Sequence, residues 1–335
     1  MSAVDETTGK FASRPVTSSD LLQWAIINKS TEKEDAPIRT EELAPREPID
    51  PKWVDVILGK SDSVRMKECM DELLDDSKDL DIKLQAFDEL EMLVESIDNA
   101  NDLRNLGLWT PLFNILKTNQ ESEMRSYAAW VLGTAVQNNP TAQSDFLTMN
   151  GLPVVLDALK NDQDSEVRAK CVTCLSGLVR HNLKAYELLA TESNTASEKS
   201  QLGLDAVVAI LKSTNGNWVK AQKRAVFFLS GLISGSSGES QEIVEKAAND
   251  AIREDWAGVT IALLERGERI DIDLLEKSFS LLNSLAVIPS AVSVESKKKL
   301  KTLVPKLLSK YGTSSSNDNQ ELDEAIVNTI KDLFL

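Results

Sequence analysis

The stretch EMRSYAAWVLGTAVQNNPTAQSDFLTMNGLPVVLDAL, at residues 123–159, decides the predicted fold. Residues 137–140 divide it, because proline cannot continue a helix and asparagine tolerates turn geometry. After this break, a short helix over residues 141–149 and a corner at Asn150-Gly151 lead into an apolar helix over residues 152–159. Before the break, apolar or small residues recur three and four positions apart, as on one face of an α-helix: Met124, Tyr127, Ala128, Val131, Leu132 and Ala135. The stretch therefore predicts three consecutive helices, the first of them long.

The same block recurs along the chain. The tetrapeptide SEMR at residues 122–125 returns 43 residues later as SEVR at residues 165–168, and further copies begin near residues 82 and 229. A helical period of about 42 residues is typical of armadillo or HEAT repeats, in which units of two or three helices stack. A corner glycine also precedes each apolar helix, at Gly107, Gly151, Gly203 and Gly258. The fold prediction is an all-α, armadillo-like, right-handed superhelical solenoid.

Composition changes at both ends of the repeating region. Residues 1–50 are polar and proline-bearing around a short apolar motif at residues 21–28, which predicts a disordered, flexible N-terminal segment. The armadillo solenoid is predicted over residues 51–310. Residues 311–335 are predicted to form a linker and a C-terminal amphipathic helix. A polar run at residues 191–201 falls between helices, where an insertion costs little.

Charge and cysteine content limit the classes of partner and the compartment. The net charge of −16 over 335 residues would repel a nucleic-acid backbone or an anionic membrane surface, so neither is an expected partner. No run of residues predicts a membrane span, and the N-terminus shows no apolar signal-peptide core. Three cysteines do not make a disulfide framework. The expected location is therefore the cytoplasm.

One pair of cysteines has the spacing of a catalytic or metal-binding motif. Cys171 and Cys174 lie mid-helix, in the positions that Ala128 and Val131 hold one repeat earlier, which predicts core residues. A zinc site would need further ligands, and the single histidine, His181, is predicted to end a helix. No catalytic residue, metal or cofactor is therefore predicted. The sequence indicates a binding protein and not an enzyme.

In an armadillo array the third helix of each unit lines the concave side, which is the usual binding surface. Nuclear-import adaptors bind basic peptides there through a ladder of Trp-x-x-x-Asn motifs. Trp130 is followed four residues later by Thr134, so that ladder is absent and import cargo is not an expected ligand. The candidate partner-binding residues carried by these helices or their ends are Arg125, Trp130, Asn138, Asn139, Arg168, Arg180, Lys220 and Arg224.

The chain resembles the armadillo-type nucleotide exchange factors of cytosolic heat-shock protein 70 chaperones, most closely a fungal member of that family. The most specific matching runs are DNAN at residues 98–101 and GTAVQNN at residues 133–139, joined by LLQWAIIN at residues 21–28. The resemblance implies that the concave face wraps one lobe of the chaperone's ATPase domain, distorts the nucleotide cleft and releases ADP. We expect a monomer. The alternative function is an armadillo scaffold that binds a peptide partner without exchange activity.

The resemblance also indicates a contact corner near the start of the array. Asp98, Asn99, Ala100 and Asn101 are expected to bind the chaperone, since the small residue at Ala100 suggests that a partner approaches closely. Arg224, further along the array, is expected to pair with a carboxylate of the chaperone. The alternative for Ala100 is an alanine that packs between helices.

The apolar motif in the N-terminal segment has the composition of a chaperone client. Its apolar residues are Leu21, Leu22, Trp24, Ile26 and Ile27. The resemblance implies a release segment, which occupies the chaperone's substrate-binding domain and keeps clients from rebinding after ADP leaves. The alternative is a cap helix that buries its apolar side chains on the first repeat.

Overall fold

The structure is a computed structural model that describes residues 59–190, 203–235, 240–266, 270–311 and 322–334. Within these ranges the regular elements are sixteen α-helices and one 3₁₀ turn, with no strand, so the expected all-α fold is confirmed. None of these helices is long and apolar enough to cross a bilayer. In chain order they are α1 (Asp62–Leu74), α2 (Leu80–Val94), α3 (Ile97–Asn105), α4 (Trp109–Thr118), α5 (Ser122–Val136), α6 (Pro140–Thr148), α7 (Gly151–Asn161), α8 (Ser165–Val179), α9 (Leu183–Ala190), α10 (Gly203–Lys212), α11 (Val219–Ser234), α12 (Gln241–Arg253), α13 (Trp256–Arg266), α14 (Ile272–Ala286), α15 (Val294–Tyr311) and α16 (Glu324–Phe334).

Equivalent helices of successive three-helix units pack side by side. The long third helices α2, α5, α8, α11 and α14 form one continuous layer, whose exposed side we call the third-helix face. The helices α4, α7, α10 and α13 form a second layer, while α3 packs on α6 and α9 packs on α12. One apolar core runs through these layers. Each unit therefore contacts its sequence neighbours, as the predicted solenoid requires.

Two glycines set the close approach of α5 and α8. A Cβ added at Gly133 would lie 3.2 Å from Cα of Cys174, and one added at Gly177 would lie 3.2 Å from the carbonyl oxygen of Gly133. The two helices therefore meet almost backbone to backbone, and a side chain larger than hydrogen would have to push its neighbour away by a few tenths of an ångström. The two helices are therefore closely packed at this point of the third-helix face.

The corners of the opening stretch follow from its asparagines and from Gly151. Asn138 and Asn150 adopt positive φ angles of 52° and 59°, in the left-handed region that asparagine tolerates. The side chain of Asn139 caps α6 by accepting a hydrogen bond from the Ala142 N–H at 3.2 Å. A Cβ at Gly151 would lie 2.7 Å from the rings of both Phe113 and Phe146, so this corner requires glycine. The predicted break and the helices on either side of it are confirmed.

The C-terminal helix α16 packs against α14 and α15 and thereby covers the end of the array. Leu322 and Ile330 are buried in the shared core, and the backbone N–H of Asp323 donates to Glu276 on α14 at 3.0 Å. The predicted C-terminal helix therefore continues the packed array. The predicted N-terminal segment, including the apolar motif at residues 21–28, and the polar run at residues 191–201 lie outside the described residues.

Candidate functional site: an aromatic and cationic cluster on the third-helix face

Aromatic and cationic side chains from three consecutive long helices meet on the third-helix face. The ring of Trp130 on α5 lies 5.5 Å from that of Tyr127, which in turn stacks on Phe87 of α2 at 5.6 Å. The ammonium of Lys170 on α8 lies over the Trp130 ring, 3.8 Å from its centroid. Arg224 on α11 is the next cation along the face. We call Trp130, Lys170 and Arg224 the cationic cluster.

Burial and like charge both act on the central lysine of the cluster. Burial of the Lys170 side chain lowers its pKa, and the charge of Arg224 lowers it further. The carboxylates of Glu166 and Glu91 act in the opposite direction without reversing the shift. Bringing an additional carboxylate to this position would stabilise the charged lysine, since opposite charge favours the ionised form. The cluster is therefore electrostatically suited to an anionic group.

The two cations of the cluster differ from other cations on the same face because neither makes a close ion pair with a carboxylate among the described residues, although the charges of Glu166 and Glu91 act on Lys170. Lys220 pairs with Glu166 at 2.8 Å, and Lys223 pairs with Asp271 at 2.9 Å. By contrast, Lys170 contacts the Trp130 ring, and the exposed Arg224 makes no ion pair within the described part of the chain. In a chain with a net charge of −16, two neighbouring cations without a close ion pair in the described part of the chain are a candidate contact for an anionic group.

Arg125 and Arg168, both expected to bind a partner, brace interhelical loops instead. Arg125 makes a two-pronged ion pair with Asp162, at 2.6 and 3.0 Å, and also donates to the carbonyl oxygens of Asn119 and Gln120. Arg168 is 5% exposed, donates to three backbone carbonyls and stacks on Trp218, the last residue of the 3₁₀ turn Gly216–Trp218. Their donors are already used within the protein. We therefore assign both arginines to structure and not to the partner-binding surface.

The DNAN corner is also built largely into the fold. Asn99 donates to Asp62 and to the carbonyl oxygen of Leu93, both at 2.9 Å, and so ties α3 to α1 and to the end of α2. Ala100 is 2% exposed, which favours the helix-packing interpretation over close approach by a partner. Asp98 is exposed, whereas Asn101 is half-buried. Asp98 is thus the residue of this corner that is best placed to meet another molecule.

The remaining candidates lie where long helices end. Asn139 is buried as the cap of α6, whereas Asn138 is exposed at the end of α5. Arg180 follows α8 and lies at the rim of a cavity between α8 and α11. Its backbone carbonyl accepts a hydrogen bond from Gln143 at 3.2 Å. Of the two asparagines, Asn138 is therefore the one exposed on the surface, whereas Asn139 is buried in the fold.

The cysteine pair is part of the core, as its sequence position predicts. Cys171 and Cys174 have no exposed surface. Burial raises the pKa of the Cys171 thiol well above its usual value and that of Cys174 to about 12. Both thiols therefore stay protonated and unreactive near neutral pH. His181 adopts a positive φ of 56° just beyond α8, at the predicted helix end.

Sequence reasoning named Trp130 and Arg224 as candidates but did not name Lys170, which lies between them. Lys170 is the equivalent of Tyr127 one repeat later, 43 residues along the chain. The signal that could have identified it is this repeat register. A basic residue at a position that the preceding long helix fills with an aromatic one implies a contact across adjacent helices.

Comparisons with known proteins identify the family. The family model described as nucleotide exchange factor Fes1 matches residues 19–103, and the SIL1/FES1/HPBP1 C-terminal domain matches residues 99–329. A relative from Gibberella zeae, named Hsp70 nucleotide exchange factor FES1, is 38% identical over 205 residues, covering 59% of this chain and 93% of the relative. The relative of the same name from Saccharomyces cerevisiae is 32% identical over 270 residues, covering 79% of this chain and 85% of the relative.

Solved structures support the fold. A designed armadillo repeat protein in complex with the peptide (KR)4 aligns with a TM-score of 0.51 at 15% identity, covering 81% of this chain and 99% of the designed one. An engineered protein aligns with a TM-score of 0.51 at 19% identity, covering 80% of this chain and 96% of that protein. These likenesses confirm the armadillo-like architecture. The sequence matches over both parts of the chain show that it belongs to the Fes1 family of nucleotide exchange factors, which shares the SIL1/FES1/HPBP1 C-terminal domain.

Proposed function

We propose that this protein is a nucleotide exchange factor for an Hsp70 chaperone and binds the ATPase domain of the chaperone with its third-helix face. The names of the relatives support the activity. The observation that supports this surface is the cationic cluster, where Lys170 and Arg224 make no close ion pair among the described residues. Buried aromatic and arginine anchors are the residues that most often dominate binding energy at protein interfaces. The partner surface should therefore carry a carboxylate that meets this cluster.

Exchange requires that the factor bind the opened ATPase domain more tightly than the closed one. A ligand with equal affinity for both states shifts no equilibrium, however tightly it binds. The close backbone packing of α5 against α8 makes the third-helix face resist deformation, so the partner must adapt to it. A rigid surface that matches the opened domain thus lowers the affinity of the chaperone for ADP.

The N-terminal segment is proposed to promote release of clients from the substrate-binding domain of the same chaperone. The apolar motif at residues 21–28 falls within the residues that the Fes1 family model matches, which supports a family-specific role. A flexible linker of about twenty residues reaches roughly 25 Å in root-mean-square terms. Tethering on this scale raises the effective concentration toward about the millimolar range, so a weakly binding segment can compete with a client. We further propose that the protein acts in the cytoplasm as a monomer.

The test of the exchange function is release of a labelled ADP from a cytosolic Hsp70, followed by stopped-flow fluorescence. Wild-type protein is expected to accelerate release. Lys170→Met and Arg224→Met should each weaken the acceleration by about tenfold or more at subsaturating protein, since one lost charged anchor is worth about 1.4 kcal/mol or more. Lys117→Met, the same change on an exposed position of α4, is the matched control and should behave as wild type.

The outcomes separate exchange from simple scaffolding. Absence of any acceleration by micromolar wild-type protein would refute the exchange function and favour an armadillo scaffold for a peptide partner. Equal activity of the wild-type, Lys170→Met and Arg224→Met proteins would instead remove the cationic cluster from the binding surface. A melting curve is recorded for each variant, and the melting temperature should equal that of the wild type, because neither Lys170 nor Arg224 is expected to be needed for folding.

Deletion of residues 1–30 tests the release segment. The truncated protein should exchange nucleotide normally but fail to prevent a persistent labelled peptide from rebinding the chaperone. A lower melting temperature together with a proportional loss of exchange would support the cap-helix alternative instead. Replacing Trp24 and Ile26 by serine provides a milder version that keeps the length of the chain.

A further inference from the structure

Helix α15 is strongly basic, although the chain as a whole is acidic. Its 18 residues include six lysines and one glutamate, whereas the net charge of the chain is −16. The apolar side of α15 packs into the array through Leu300, Val304 and Leu307. The six lysines are all exposed on its other sides: Lys297, Lys298, Lys299, Lys301, Lys306 and Lys310. We call this surface the lysine face.

Four of the six lysines have no partner for their side chains among the described residues. Lys299 pairs with Glu295 at 3.4 Å, and Lys310 lies 5.3 Å from the ring centroid of Tyr311. Within the described ranges no ion pair, side-chain hydrogen bond or ring contact involves the ammonium groups of Lys297, Lys298, Lys301 and Lys306. Most of the positive charge of α15 is therefore turned to solvent.

The lysine face is unfavourable for the helix that carries it. Lys297 and Lys301 lie four residues apart, and Lys298 and Lys301 lie three apart, so their like charges repel each other on one helix surface. Lys297 also lies at the end of the first turn, where the helix dipole disfavours a cation. An anionic partner would relieve this repulsion, since opposite charge favours the ionised form of each lysine.

A groove of about 350 Å³ lies beside the lysine face, between α13 and α15. Lys299 lines it from α15, and two further exposed cations line it from the ends of α10 and α13, namely Lys212 and Arg266. Arg266 donates to the carbonyl oxygen of Lys212 at 2.7 Å, and neither side chain makes an ion pair within the described part of the chain. The positive surface of α15 thus extends onto two neighbouring helices.

The dimensions of this surface favour a single extended chain as its ligand. With a rise of 1.5 Å per residue, α15 is about 27 Å long, which an extended peptide of about eight residues spans. A nucleic-acid duplex or a bilayer is broader. It would bring phosphate groups against the carboxylates of Asp255, Glu265 and Glu295, which are exposed in the groove or next to it.

We propose that the lysine face and the adjoining groove bind an acidic, extended segment of a partner protein. Separate carboxylates along such a segment can each meet one ammonium group of α15, and the end of the segment can reach Lys212 and Arg266. The site lies on helices that do not belong to the third-helix face, so the inference does not rest on the proposed exchange function. Because the lysines are exposed, the attraction should weaken as salt is added.

The test is fluorescence anisotropy with the full-length protein and a fluorescein-labelled peptide of about eight glutamates. The wild type should bind this peptide, less tightly as salt is raised, and should not bind a glutamine peptide of the same length. Combining Lys297→Gln, Lys298→Gln and Lys301→Gln should weaken binding by about tenfold or more. The matched control makes the same three changes at exposed lysines of other segments, Lys67, Lys78 and Lys117, and should bind as wild type.

Two further measurements separate the lysine face from folding and from exchange. The variant with three substitutions in α15 should melt at or above the wild-type temperature, because like charges have been removed. Lys212→Gln combined with Lys306→Gln, on two different helices, should also weaken peptide binding. Release of ADP from the chaperone should be unchanged by the three substitutions, and its loss would assign the lysine face to the exchange surface and refute the proposal.

The other outcomes also decide the proposal. Equal affinity of the wild type and the α15 variant for the glutamate peptide overturns it and leaves the exchange function standing, as does failure of the wild type to bind. Tighter binding of a single-stranded oligothymidylate of the same length assigns the lysine face to nucleic acid. Tighter binding of vesicles made of equal parts phosphatidylserine and phosphatidylcholine assigns it to a membrane surface. Either result refutes the acidic peptide as the ligand.

Discussion

Replacement of Arg168 by methionine tests whether this arginine is a structural brace, as its contacts indicate. Its guanidinium donates to the carbonyl oxygens of Leu159, Lys160 and Asp162, at 2.6, 3.0 and 2.5 Å. It also lies 3.9 Å from the ring centroid of Trp218. Methionine keeps the length and most of the apolar stem but removes every donor. The end of α7 and the loop into α8 would lose their internal hydrogen-bond partner.

The expected cost follows from these contacts. Three carbonyl groups left without a partner cost about 1 kcal/mol each at the low end of the usual range, and a cation–π contact adds about 1 kcal/mol. We use the low end of the range because removing a guanidinium from water costs free energy that offsets part of the interaction, and burial accordingly lowers the pKa of Arg168. The free energy of unfolding should therefore fall by about 4 kcal/mol. In a chain of 335 residues that corresponds to a decrease in melting temperature of roughly 6 °C.

Thermal melting followed by circular dichroism at 222 nm measures the effect. Arg224→Met is the matched comparison, since the same substitution at an exposed arginine without an ion pair among the described residues should change stability by less than about 0.5 kcal/mol. An Arg168→Met protein that melts within about 2 °C of wild type would refute the structural assignment. Arg168 would then return to the list of partner-binding candidates.

Four further variants test packing and ionisation. Gly177→Ala should lower the melting temperature because its Cβ would press on the Gly133 carbonyl oxygen. Gly231→Ala should instead raise the free energy of unfolding by about 0.5–1 kcal/mol, because alanine is favoured over glycine inside a helix and the space at Gly231 is open. Burial opposes ionisation of Asp162, yet hydrogen bonds and the charge of Arg125 lower the pKa of this carboxyl below 3.8. Urea unfolding at a series of pH values should therefore show that stability is lost as the pH falls through that lowered pKa, and Asp162→Asn should remove this contribution. Burial and the 2.5 Å bond to Asp250 raise the pKa of Tyr186 above 10.0, so stability should decline above pH 10.0 in wild type and not in Tyr186→Phe.

The sequence by itself determined the fold class, the order of the helices and much of the core. These are local properties: apolar spacing selects the helix, and proline, asparagine and glycine end it. Repetition then extends the inference, because a position known to be buried in one unit is buried in the next. Cys171 and Cys174 were correctly placed in the core by this argument alone, against the catalytic interpretation that their spacing invites.

Only the tertiary structure decided which charged residues are available to a partner. The sequence does not distinguish Arg125, Arg168 and Arg224. In the structure, Arg125 forms an ion pair with Asp162, and Arg168 donates hydrogen bonds to backbone carbonyls. The third lies exposed beside Lys170, which sequence reasoning had passed over. Whether the hydrogen-bond donors of a guanidinium have partners depends on groups that packing brings to within about 3 Å. These groups can lie far away along the chain, as Asp162 lies 37 residues from Arg125. Periodicity places a residue on a face, but the distances between helices determine whether its charge is already paired.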